Sequence, residues 1–143
     1  MSENMGGKVA LALVRPHRYR AVYQIMLRDE PIGEIELDHI AWRSGEAELK
    51  ISIHEEELHN HGYGTKAVVA LLDQAFSKMS LNRVYLRVHA NNSIAIRCYE
   101  KAGFRKEGRL SRLTEWDTLE EIFLMGITRT QFLNNAQKES QAV

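Results

Sequence analysis

The chain has 143 residues, 44% of them hydrophobic, and nineteen basic side chains balance nineteen acidic ones. That length makes one domain with a sizeable core and excludes a disordered chain. The absence of a basic excess argues against nucleic acid or a membrane surface as partner. The single cysteine, Cys98, leaves no internal disulfide and fits a reducing cytoplasm, the expected location. No apolar run approaches the roughly 18 residues that span a bilayer. "KVALALV" (Lys8 to Val14) is too short for a signal core and lacks a small-residue cleavage site after it.

In chain order, "KVALALV" and "YRAVYQIML" (Tyr19 to Leu27) predict two strands joined by "RPH", a candidate hairpin. "EPIG" marks a turn, and "EIELDHIAW" (Glu34 to Trp42) alternates, with Ile35 and Leu37 inward. "AELKISI" alternates again, with Leu49, Ile51 and Ile53 on one face. From Thr65 the period changes. Val68, Leu71, Leu72, Ala75, Phe76 and Met79 form one helical stripe. "RVYLRVHA" (Arg83 to Ala90) predicts a buried strand. A short helix follows, with Asn92 or Ser93 as N-cap and Gly103 just past its end. "KEGRLSRLTEW" and "LEEIFLMGITR" flank "DT" as a closing hairpin. The polar, aperiodic "NNAQKESQAV" predicts a frayed tail over residues 134–143, leaving a single domain over 1–133. The order β-β-β-β-α-β-α-β-β implies an α/β fold, a mixed sheet covered by helices.

"HEEELHNHGYGTKA" before the long helix raises two chemistries. A metal is disfavoured. His54 and His59 are five apart where a helical zinc pair needs four, Gly62 ends any strand carrying His59 and His61, and no second ligand cluster exists. The expectation is no metal. "GYGTKA" formally matches a dinucleotide fingerprint. However, the preceding strand ends some eight residues earlier, and the next strand ends in "HANN" without a ribose-binding acid. A P-loop is absent. A helix beginning at Gly64 or Thr65 still offers first-turn amides and a dipole that favour a phosphate, with glycines allowing close approach. A strand–helix turn that merely uses glycine is the plain alternative.

"GYGTKAVVALLDQAF" and "RVYLRVHANNSIAIRCYEKAGF", in that order, resemble the GNAT superfamily of acyl-coenzyme A N-acyltransferases. The likeness is greatest to the branch that acetylates ribosomal-protein N-termini, polyamines and amino-sugar nucleotides. It runs from about Glu30 to Arg129 and includes "EPIGEIEL" and the motif N-x-x-A-x-x-x-Y-E-K-x-G-F. The resemblance implies a mostly antiparallel sheet splayed between strands 4 and 5, with acetyl-CoA as co-substrate. Its diphosphate loop falls on His59, Asn60, His61, Gly62, Tyr63 and Gly64, continuing to Thr65, with His59 where a longer Arg or Gln is usual. Strand-4 backbone at Ile51, Ser52 and Ile53 would hold the pantetheine arm, and Asn92 would contact the cofactor.

The same likeness makes Tyr99 the general acid, protonating the departing thiolate; spaced helically from Ala95 and Ala102, it also fits a core aromatic. Glu48, opposite Leu49 on its strand, is the candidate base, direct or through water. A lysine-like amine costs about 4 kcal/mol to deprotonate at neutral pH and an α-amine about 1, which leans toward peptide N-termini. No His-Asp pattern accompanies Cys98, so an acyl-cysteine route is not expected. The family's first strand is normally followed by two helices over the acceptor site. "RPH" leaves no room for them. The implied function is an acetyl-CoA-dependent N-acetyltransferase acting on a primary amine: a peptide N-terminus, polyamine or amino sugar. The vacant roof suggests a homodimer, and also the rival reading of a non-catalytic acyl-CoA-binding module.

Overall fold

The computed structural model describes residues 8–54 and 62–142. Its strands are β1 (Val9–His17), β2 (Arg20–Leu27), β3 (Glu30–Ala41), β4 (Glu46–Ile53), β5 (Arg83–His89), β6 (Arg105–Leu113) and β7 (Leu119–Thr128). The helices are α1 (Tyr63–Asp73), α2 (Ser93–Ala102) and α3 (Arg129–Ala142). The strands form one sheet in the order β1-β2-β3-β4-β5-β7-β6. Every pairing is antiparallel except β4 with β5.

The first four strands are a meander set by alternation. Ala21, Tyr23, Ile25, Ile35, Leu37, Ala47 and Leu49 are buried on one face, where α1 lies. The other face carries Arg20, Glu36, Asp38, Glu48, Lys50 and Arg87, tied by ion pairs, and no described helix covers it. The expected hairpin forms, with the "RPH" residues inside β1 and only Arg18 and Tyr19 between the strands. The sequence placed the end of that strand at Val14. A bulge between Leu13 and Arg15 lets pairing resume to His17↔Arg20.

Val68, Leu71, Leu72, Ala75 and Phe76 of the predicted stripe are buried, Met79 is partly buried against them, and Ala67 joins the buried face. An eleven-residue helix is marginal alone, so this packing holds it, each large side chain contributing roughly 1.5–3 kcal/mol. The stripe continues beyond α1 through one widened π turn, Gln74–Lys78, closed by the Met79 amide on the Gln74 carbonyl at 3.1 Å.

The residues expected as a frayed tail are helical. Residues 134–142 belong to α3, which is launched by a reciprocal cap. The Thr128 hydroxyl accepts from the Gln131 amide at 3.2 Å, and the Gln131 side-chain oxygen accepts from the Thr128 amide at 2.9 Å. Phe132 then packs on Phe76, ring centroids 5.5 Å apart.

Candidate active site

β4 and β5 pair over three positions only: Glu46↔Arg83, Ala47↔Val84 and Glu48↔Tyr85. Beyond them each strand follows its outer neighbour, β4 along β3 to Gly33↔Ile53 and β5 along β7 to His89↔Ile122. The sheet therefore forks after Glu48, as the splayed strands 4 and 5 require. At Gly33 a side chain would strike the Ser52 carbonyl oxygen, so only glycine lets β3 hold the last residues of β4 this closely.

A cleft of about 590 Å³ opens at the fork, lined by Ile51 and Ile53 of β4, Gly62, Gly64 and Thr65 at the start of α1, and Asn92 and Tyr99 around α2. Gly62 caps α1 with φ +81°, a conformation that favours glycine, and has no side chain to cap with. The first backbone bond of the helix is made by the Lys66 amide to the Gly62 carbonyl, at 3.0 Å. The Gly64 and Thr65 amides keep no hydrogen-bond partner among the described residues. A diphosphate fits such a turn, because first-turn amides and the helix dipole both favour its charge. A Cβ on Gly64 would sit 3.4 Å from Cys98 Sγ and 3.7 Å from Ile53 Cδ1, so α1, α2 and β4 converge at this glycine. The Thr65 hydroxyl donates to Cys98 Sγ at 3.4 Å and ties the two helices there.

α2 begins where its sequence says. Asn92 Oδ1 accepts from the Ala95 amide at 3.2 Å, and Gly103 ends the helix at φ +110°. Asn92 is therefore the N-cap and lines the cleft as well, with its side-chain NH₂ left over by the cap. Tyr99 lies about two turns further along α2 on the same side, its ring edge-on to Phe104 at 6.0 Å. Burial, with Cys98 adding to it, pushes its phenol up to about 12. Its hydroxyl bonds to no described residue and remains a protonated donor beside the cleft. Burial raises the Cys98 thiol as well, against the pull of Thr65 and Lys101, so it offers little thiolate.

Glu48 stands on the opposite face, at the last paired position before the fork. Its side chain is 4% exposed, and both carboxylate oxygens accept from Arg87, at 3.0 and 3.2 Å. His39 Nε2 lies 3.9 Å from Glu48 Oε1. Tyr99 and Glu48 thus flank the fork from the two sides of the sheet.

The other expected residues distribute unevenly. Ser52 is exposed, so of the strand-4 trio only Ile51 and Ile53 line the cleft. Tyr63 is half-buried against the core. His59, Asn60 and His61 lie outside the described residues. His54 is exposed, and no group of three or more described His, Cys, Asp or Glu side chains is placed to hold a metal ion.

Sequence reasoning missed Arg97 and Lys101, which line the cleft one helical turn apart on α2. Their i, i+4 spacing was the available signal. They give the cleft two cations in addition to its backbone donors. Exposed charges of this kind contribute about 0.5–1 kcal/mol each. The Arg97→Ala/Lys101→Ala variant is expected to raise the KM for acetyl-CoA roughly tenfold with kcat little changed. Steady-state kinetics at low and high salt should show the difference shrinking as salt screens the charges.

The domain model described as "Acetyltransferase (GNAT) domain" matches residues 5–105. The chain is 30% identical over 115 residues to spermidine N(1)-acetyltransferase of Vibrio cholerae, covering 74% of this chain and 61% of that protein. It is 33% identical over 100 residues to aminoglycoside N(6')-acetyltransferase type 1 of Klebsiella pneumoniae, covering 62% and 49%. The chain thus spans about half to three-fifths of the length of these relatives. The crystal structure of Vibrio cholerae spermidine N-acetyltransferase in complex with CoA and spermine superposes with a TM-score of 0.74 at 25% identity, over 81% of this chain and 69% of that one. The forked sheet, the glycine turn at its mouth and the matched domain agree: the chain belongs to the GNAT acetyltransferase family.

Proposed function

We propose that the protein is an acetyl-CoA-dependent N-acetyltransferase that moves the acetyl group to a primary amine, such as a peptide N-terminus, a polyamine or an amino sugar. The observation that carries this reading is the parting of β4 and β5 after Glu48 and Tyr85, next to an uncapped glycine turn. The glycine turn suits the diphosphate, and the edge of β4 that parts from β5 suits the pantetheine arm through its main chain. Acetyl-CoA supplies the activated thioester. In the proposed step the neutral amine attacks the acetyl carbon directly. A C–N bond forms as the C–S bond breaks; the amine proton leaves through Glu48, directly or by water, and Tyr99 protonates the thiolate. Names of relatives support amine acceptors, since spermidine and aminoglycosides both carry primary amines.

A homodimer in the cytoplasm belongs to the same reading. The exposed Leu110, Leu113, Trp116 and Leu119 of the β6–β7 hairpin support the dimer. No described helix is long and apolar enough to cross a membrane. The non-catalytic module keeps one specific support, the two-residue link between β1 and β2 where helices would roof the acceptor.

Release of free thiol from acetyl-CoA, measured against a panel of primary amines and short peptides, tests the proposal. Turnover with at least one amine is expected. Calorimetric binding of CoA with no turnover on any amine would favour the module, and no binding would remove both.

A further inference from the structure

A second cavity, about 520 Å³, lies on the uncovered face at the β1–β2 turn. Its walls combine Val14, Val22 and Tyr19 with His17, Asp38 and His39. His39 joins this groove to the fork, because its Nε2 is 3.9 Å from Glu48 Oε1. His39 is held there at φ +51°, in the irregularity that interrupts β3–β4 pairing between Asp38 and Ala41. Val22 is buried on this face, away from the main core, while Val14 and Tyr19 are about half exposed. The groove therefore offers apolar and aromatic surface leading to the proposed base.

Its charges are already matched. Arg20 donates twice to Glu36, at 2.9 and 3.0 Å. Lys50 Nζ donates to Asp38 at 3.1 Å, and Arg87 occupies both oxygens of Glu48. Burial alone would raise the Asp38 carboxyl, but the His39 amide and the Lys50 ammonium outweigh it and hold it below its usual range. Arg18 adds a further cation, 5.6 Å over the Tyr19 ring. Around the groove, Arg18, Arg20, Lys50 and Arg87 thus face Glu34, Glu36, Asp38 and Glu48, an even balance that leaves no carboxylate in excess among these residues. A polycation entering here would have to displace cations already in place, whereas an apolar body would gain contact without breaking a pair.

Resting on the acetyltransferase reading above, we infer that this groove is the acceptor site and that it selects an amine with a single cationic group and an apolar or aromatic body, rather than a polyamine. The amino group lies at the Glu48 and His39 end, and the body lies on Tyr19, Val14 and Val22.

The test compares kcat/KM for 2-phenylethylamine and spermidine by thiol release. The aromatic amine is expected to lead by roughly tenfold or more. Tyr19→Ala, at an exposed position, should raise the KM for 2-phenylethylamine roughly tenfold, clearly more than it raises that for spermidine, and leave CoA affinity unchanged. Val14→Asp, which adds an unmatched carboxylate at the rim, should narrow the preference by raising spermidine turnover. A wild-type preference for spermidine, or indifference of 2-phenylethylamine to both variants, overturns the inference. If no amine is turned over, so that the catalytic reading itself fails, calorimetric titration of 2-phenylethylamine into the CoA-saturated protein decides the groove. Binding that Tyr19→Ala weakens supports it; no binding overturns it.

Discussion

Replacing Tyr99 by phenylalanine is expected to lower kcat by roughly 10²–10⁴, the range for loss of a positioned general acid, while the dissociation constant for CoA moves no more than a few-fold. The split follows from the geometry. The ring packs on Phe104 and is kept by the substitution, whereas the hydroxyl, which bonds to no described residue, is all that is lost. With the phenol raised to about 12, wild-type activity should show no appreciable loss from tyrosine ionisation until roughly one pH unit below that value. The same shift has a stability consequence. A raised folded value means that the native state keeps its proton while the unfolded chain, titrating near 10, has lost it. The associated stability is complete below pH 10 and is lost as pH rises toward 12. Two pH units correspond to at most about 3 kcal/mol. Tyr99→Phe should accordingly unfold at a higher denaturant concentration than the wild type at pH 11, relative to their order at pH 8. Equal turnover of the two proteins would remove Tyr99 from the chemistry.

What the sequence disclosed about this site tracks how local each signal is. Asn92 and Gly103 bracket α2 as expected, because a cap is decided within a few residues. The stripe from Val68 to Phe76 was legible for the same reason, since periodicity is read along one segment. The fork was not. Nothing local says that β4 stops pairing with β5 at Glu48↔Tyr85, a register between segments more than thirty residues apart, and only the family resemblance supplied it. Arg87 shows the same limit. Alternation puts Arg83, Tyr85 and Arg87 on one face of β5, but which acid they meet across the sheet is a tertiary fact. The tail is a different case. "TRTQ" is a capping-box pattern at Thr128 to Gln131, yet the polar residues after it lack periodicity, and composition was given too much weight. At Ser52 alternation turns the side chain away from the cleft that Ile51 and Ile53 line, which leaves the main-chain role expected of it untouched.

The Glu48–Arg87 pair gives the second large effect, and its two partners separate stability from catalysis. Removing one member of a buried ion pair costs about 3–5 kcal/mol, because the other charge is stranded. Here Glu48 is almost wholly enclosed while the Arg87 side chain is 52% exposed, so solvent reaches the space that a shorter side chain vacates. Arg87→Met is therefore expected to cost nearer 2–3 kcal/mol by chemical denaturation. Arg87→Met/Glu48→Gln should recover most of that loss, since no carboxylate remains to be stranded. Glu48→Gln alone leaves a half-exposed guanidinium that water can serve, and should fold close to wild type. Its cost falls on the reaction and depends on the acceptor. Deprotonation at neutral pH demands about 4 kcal/mol for an amine of pKa near 10.4 and about 1 for an α-amine near 8. If Glu48 takes the proton, kcat/KM should fall at least roughly tenfold more for the alkylamine than for the α-amine. A uniform fall for both would make Glu48 a structural anchor for Arg87 at the edge of the fork, and the proton would then leave by another route.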